Sequence, residues 1–174
     1  MVSSSSRSAA GSRTSKSPSR VRRTRKGDFE VRLPQEERQL LVALVGSLRA
    51  AFDGEGDVRA EPALRRLFPP AYADAADEEA ESQYQAMVHD ELLASRRAAL
   101  DVLEATASRD RVDEPELLAW MTAVNQLRLV LGTRLDVSED DEPFPEPDDP
   151  LAPLAEIYHY LGVLLEALID ALES

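Results

Sequence analysis

At 174 residues and 43% hydrophobic, the chain holds enough apolar material for one domain with a real core and is short for two. It has no cysteine, which excludes disulfides, thiolate nucleophiles and cysteine-ligated metals. The net charge of −13 conceals two opposed regions: residues 1–27 carry eight basic side chains and no acid, leaving 12 basic against 33 acidic residues in the remainder.

A body that acidic repels nucleic acid and anionic membrane, so only the basic tail is suited to touching phosphate. No stretch approaches eighteen apolar residues without interruption, and nothing near the start has the apolar core of a signal peptide. The expectation is a cytoplasmic protein with no membrane contact. The tail, "MVSSSSRSAAGSRTSKSPSRVRRTRKG", is rich in Ser and Arg and nearly free of large apolar residues, so it is expected to be disordered over 1–27, with the domain at 28–174. Three roles stay open for it: a solvated tail, weak nucleic-acid contact through Arg20, Arg22, Arg23, Arg25 and Lys26, or folding back on the acidic body.

"DFEVRL" alternates Phe29, Val31 and Leu33 as a short strand or extended lead-in does. Pro34 suits a first helical position, and Leu40, Leu41, Leu44, Val45, Leu48 and Phe52 then recur at three- and four-residue spacing, which predicts a first helix closed by "DGEGD". "EPALRRLFPP" predicts a short helix stopped by Pro69. Asp77, Glu78, Glu79 and Glu81 open a long helix to about residue 108, where acids in the first turn complement the helix dipole. Tyr84, Val88, Ser95, Ala99 and Val102 share one of its faces, and Leu93 with Leu100 forms a second stripe, a candidate interaction surface. Asp113 and Glu116 form a capping-box pattern that starts a helix running to the mid-130s. The acidic, proline-rich segment over 137–150 reads as a linker, and its Glu139, Asp140 and Asp141 are candidate contact residues. Asp149 before Pro150 announces a last helix, along which Leu151, Leu154, Tyr158, Leu161, Leu165, Leu168 and Leu172 make a heptad seam. That seam serves either the monomer's own bundle or a homodimer. The fold expected is all-α, a bundle of about four main helices and one short one behind a disordered basic tail.

"AVNQLRLVLGTRL", residues 123–135, is apolar nearly all round, yet Arg128 sits at the middle of its apolar face and Arg134 near the edge. An unpaired guanidinium there would cost several kcal/mol, roughly, so it needs water or a buried acid. Glu91 lies on the apolar face of the long helix and is the expected partner, with Asp90 and Asp101 as second choices. Such a pair more often fixes helix register than performs chemistry.

Carboxylate enzymes of the four-helix type need Glu-x-x-His on two helices. Glu156 and His159 have that spacing but fall on the polar side of the last helix, and His89 has Ala86 three residues before it. No phosphate-binding loop, nucleophile elbow or zinc-protease motif exists, so neither catalytic residues nor a cofactor or metal is expected.

Three phrases, "PALRRLFPPAY" (62–72), "ELLAWMTAVNQLRLVLGTRLDVSEDD" (116–141) and "IYHYLGVLLEALIDAL" (157–172), together resemble an actinobacterial family long described as a domain of unknown function, whose members are oxidation-sensing or oxidative-stress transcription regulators. The likeness covers 28–174 and is most specific in "LRLVLGTRL". It implies an all-helical cytoplasmic protein acting on transcription, with a sigma factor as partner. Redox sensing in the family is attributed to a cysteine pair, which this chain lacks; Met87 and Met121, which read as buried, are weak substitutes. The leading expectation is a non-enzymatic regulator that binds protein. The alternative is a helical homodimer without signalling role, and a helical metalloenzyme is a distant third.

Overall fold

The computed structural model describes residues 20–54, 62–64, 66–67, 78–137 and 148–174, with the side chains of the long helix described from Met87 onward. In chain order these form β1 (Val21–Arg23), β2 (Phe29–Val31), α1 (Gln35–Phe52), a single 3-10 turn (Pro62–Leu64), α2 (Glu78–Thr106), β3 (Arg111–Val112), α3 (Glu114–Arg134) and α4 (Ala152–Glu173). The four main helices stand where their periodicity placed them. α3 is central: it packs against α2, α4, α1 and the 3-10 turn.

Local chemistry explains the helix starts. The Asp113 side chain accepts from the Glu116 N–H at 2.8 Å, and the Glu116 carboxylate accepts from the Asp113 N–H at 2.9 Å, a complete capping box at the head of α3. Asp149 accepts the Leu151 N–H at 2.7 Å in the turn that launches α4. At the other end of α3, Asp136 adopts φ 53°, and the Val137 N–H returns to the Gly132 carbonyl at 2.9 Å, closing the helix with a left-handed cap.

Order begins earlier than residue 28. Val21–Arg23 pairs antiparallel with Phe29–Val31, and Phe29 and Glu30 pair in turn with Val112 and Arg111 of β3, giving a three-stranded sheet. The connecting loop turns at Gly27, whose φ of 90° a side chain would disfavour. One valine cannot order a basic segment by itself. Here Val21 is buried opposite Val31, and the arginines beside it meet acids of the body, so the tertiary surroundings supply what the local sequence lacks.

The face of α2 that carries Leu93 and Leu100 is the core face, not a surface. Leu100 and Leu103 are fully buried, Leu92 and Leu93 pack partly buried against the core, and Val88 is 40% exposed. The stripe looked like a second face because the wheel shows which residues share a side but not which side meets a neighbour. Of the α4 seam, Leu161 and Leu168 are fully buried within the monomer, Leu154, Tyr158, Leu165 and Leu172 are half-buried and Leu151 is exposed, while Leu164, off the seam, is buried beside them. α4 is long and apolar enough by length and composition to cross a membrane, and its apolar side is occupied here by α3 and β1.

One buried guanidinium joins the sheet to the helices. Arg38, on the same face of α1 as Leu41, Val45, Leu48 and Phe52, is 8% exposed at its side chain. Its Nε donates to the Leu33 carbonyl at 3.0 Å, Nη1 to the carbonyls of Ala107 (2.6 Å) and Arg109 (2.7 Å), and Nη2 to the Val31 carbonyl and the Asp110 carboxylate at 3.0 Å each. All five N–H groups are used. Nearby, Trp120 Nε1 donates to Thr106 Oγ1 at 2.7 Å, and that hydroxyl donates to the Val102 carbonyl at 2.7 Å, which ties α3 to the end of α2.

Arg38→Met is expected to lower unfolding free energy by about 3–5 kcal/mol in urea titrations, because it strands four carbonyls away from water. Asp110→Asn, altering a carboxylate that is 89% exposed, should cost less than about 1 kcal/mol. Comparable losses in the two variants would show that the ion pair, not carbonyl satisfaction, is the source. The hairpin adds an acid-sensitive contribution. The Thr24 hydroxyl and Arg111 hold the Asp28 carboxyl below its ordinary value, and hydrogen bonds from Arg32 and Arg22 do the same for Glu30. Carboxylates depressed in the folded state stabilise above the unfolded value and lose that contribution as pH falls through the folded one. Stability should therefore decline below about pH 4.5, and Glu30→Gln should flatten the decline measured by thermal unfolding at stepped pH.

Candidate functional site at the crossing of α3 and α4

The expected Arg128–Glu91 pair does not form. Glu91 and Asp90 are exposed, and Asp101 accepts from Arg49 at 2.6 Å. Arg128 instead lies over the ring of Tyr158 on α4, its guanidinium carbon 4.7 Å from the ring centroid, and its Nε is buried without a hydrogen-bond partner. The reason is rotational. Gln126 points toward α2, where its amide donates to the Arg96 carbonyl at 3.5 Å, and Arg128 follows two residues later, about 200° further round the helix. That turn carries it to α4, away from Glu91.

Two glycines permit close approach at this crossing. A Cβ on Gly132 would stand 3.1 Å from Tyr158 Cε2 and 3.4 Å from Arg66 Nη1; one on Gly162 would stand 3.5 Å from Arg128 Nε. Arg66, just after the 3-10 turn, donates through Nη2 to the Val137 carbonyl at 2.5 Å and so caps the negative end of α3. The site therefore consists of two guanidiniums, a tyrosine and two glycines. A guanidinium on an aromatic face is attracted to the ring and held in one plane, which fixes the direction of its N–H fork. Chemically, such a fork recognises planar oxyanions.

Sequence reading singled out Arg128 but missed Arg66, Tyr158, Gly132, Gly162 and the structural Arg38. Signals were present for three: glycine inside a helix, as at Gly132 and Gly162, is costly and marks close approach, and Arg38 shares a face with four core residues. Nothing in the sequence reports that Arg66 reaches the end of α3.

The tail arginines are engaged with the body. Arg20 pairs with Glu37 and lies 5.6 Å from the ring centroid of Tyr160, whose phenol is pushed up by burial and further by the Glu37 charge. Arg22 meets Glu30 at 2.9 Å, and Arg23 meets Glu114 at 3.4 Å while lying over Phe29. Arg25 and Lys26 stay exposed in the hairpin loop. Glu139, Asp140 and Asp141 lie outside the described residues. Glu156 and His159 are exposed on α4, and Arg134 is exposed at the end of α3, beside a shallow apolar cleft lined by Leu44, Leu48, Leu127 and Leu131. Met87 is 55% exposed and Met121 half-buried, so the expected burial of both does not hold. Among the described residues, no group of three or more His, Asp or Glu side chains is placed to hold a metal ion.

A helical bundle built around one central helix, with a small sheet closing one side, defines the class of protein. The chain belongs to the family described as Domain of unknown function (DUF2017), whose model matches residues 18–172. A Mycobacterium leprae protein carrying the AosR designation of an oxidative stress regulator is 34% identical over 131 residues, covering 64% of this chain and 58% of that protein. The oxidative stress regulator AosR of Mycobacterium bovis, and that of Mycobacterium tuberculosis, are each 29% identical over 124 residues, covering 63% of this chain and 57% of theirs. The match thus spans less than two thirds of these relatives' length. No solved structure matches. The three phrases that carry the resemblance converge on the crossing: Arg66 comes from the first, Arg128 and Gly132 from the second, Tyr158 and Gly162 from the third.

Gly132→Ala is expected to push the Tyr158 ring aside and cost about 1–2 kcal/mol. Gly162→Ala, meeting only an ordinary contact, should be neutral or stabilise by up to about 1 kcal/mol through better helix propensity. Thermal melts of both variants test this, and an equal response would remove the close-approach argument.

Proposed function

We infer that the chain is a non-enzymatic regulator of the oxidative-stress response, acting on transcription in the cytoplasm through contacts with protein, with a sigma factor as the partner to test first. The regulatory role rests on family membership and on the names of the mycobacterial relatives. The observation that carries the preference for protein over DNA is the engagement of Arg20, Arg22 and Arg23 with the body's own carboxylates. Phosphate affinity depends on the number of cations available to displace counterions, and here Arg20, Arg22 and Arg23 already have acids beside them within a strongly anionic chain. Leu118, Val163 and Ile169 add exposed apolar side chains on α3 and α4, the kind of surface protein partners use. Burial of Leu161 and Leu168 inside the monomer weighs against the alternative of a structural homodimer zipped along the α4 seam. With no cysteine, a direct thiol switch has no residue to act through.

The full chain, immobilised and exposed to purified actinobacterial sigma factors and to duplex promoter DNA at about 150 mM salt, should retain a sigma factor and not the DNA. Retention of DNA with a steep salt dependence and no sigma factor would overturn this reading.

A further inference from the structure

We propose that the crossing of α3 and α4 is a receptor for a small oxyanion, a carboxylate or phosphate group gripped by the guanidiniums of Arg128 and Arg66. In an acidic chain a guanidinium meets a carboxylate readily: Arg20, Arg22, Arg23, Arg32, Arg38, Arg49, Arg97, Arg109 and Arg111 all do. Among the described residues, Arg128 and Arg66 have no acid partner although both lie at a helix crossing. Arg128 makes no hydrogen bond there; the Tyr158 ring holds its plane, and its Nε is shut off from solvent. Arg66 uses Nη2 on the Val137 carbonyl, and its Nη1 stands next to Gly132. Arg66 is exposed, but a half-buried guanidinium such as that of Arg128 is costly without a counter-charge, and an oxyanion accepting from both side chains offsets that cost. Because the donors are already oriented, little side-chain freedom is lost on binding.

The size class follows from the field. A body with 33 acids repels polyanions at long range, whereas a group of one or two charges is taken up by short-range bidentate geometry. A side chain at Gly132 would press on Tyr158 and Arg66, and one at Gly162 would touch Arg128, so the two glycines let these groups lie close against the helices. The inference does not depend on the regulatory reading, and a failure to bind a sigma factor would leave it untouched.

The test titrates the full chain at low ionic strength with inorganic phosphate and separately with acetate, against sodium chloride at matched ionic strength. In proton–nitrogen NMR spectra the Arg128 Nε–H resonance, protected by burial, should shift and saturate with one of the two anions. The melting midpoint should rise by about 3–5 °C beyond chloride at saturating anion. Arg128→Gln and Arg66→Gln should each abolish that rise, and Arg128→Lys, which keeps charge but loses the planar fork, should abolish most of it. A response to phosphate alone assigns a phosphorylated ligand, and a response to acetate alone assigns a carboxylate. An unmoved Arg128 resonance, or an equal rise in wild type and both glutamine variants, overturns the proposal, the latter because it marks a general salt effect. The resonance is read on wild type, so the result stands even where a variant fails to fold.

Discussion

The architecture depends on one guanidinium with all its hydrogen bonds made. Arg38 reaches from α1 to the backbone of β2, to Leu33 just beyond it and to the loop that leaves α2, and four of its five acceptors are carbonyls. A buried charge is tolerated when every donor is satisfied, and carbonyls at the end of a helix carry the partial negative charge that suits it. The same bonds set where the sheet lies relative to the helices, since Val31 belongs to the sheet and Ala107 and Arg109 to the loop that follows α2. The core of Phe29, Leu41, Trp120 and Leu161 then packs around a geometry already defined.

Arginine repeats this role elsewhere. Arg97 on α2 donates to the Phe52 carbonyl at 3.1 Å and to Asp53 at 2.6 Å, at the end of α1. Arg66 serves the end of α3, and Arg38 the end of α2. Three helix C-termini therefore finish against a guanidinium from another element, where the helix dipole favours a cation. Such use turns the positive charge of an acidic chain inward, toward its own backbone and carboxylates.

Arg128 departs from this pattern, and the departure gives the crossing its interest. Stacked on Tyr158 and flanked by Gly132 and Gly162, it is oriented by packing rather than by a counter-ion. The phrases that relate the chain to its family supply these residues, so the resemblance has a physical centre. The relatives named as oxidative stress regulators match over part of their own length, and this chain, unlike a thiol sensor, has no cysteine.

What the amino-acid order determined unaided was local. The capping box at Asp113, the turn at Asp149 and the spacing of Leu41, Val45 and Leu48 each act within a few residues, so helix number and helix starts were legible. Only the tertiary structure decided which acid, ring or carbonyl each arginine meets, whether Leu93 and Leu100 face core or water, and that Val21 belongs to a sheet. Helical periodicity states which side chains share a face, but a rotation of about 100° per residue converts small differences in helix placement into different neighbours. Long side chains such as Arg66 and Arg38 bridge segments distant in sequence, and no local pattern records where such a reach ends.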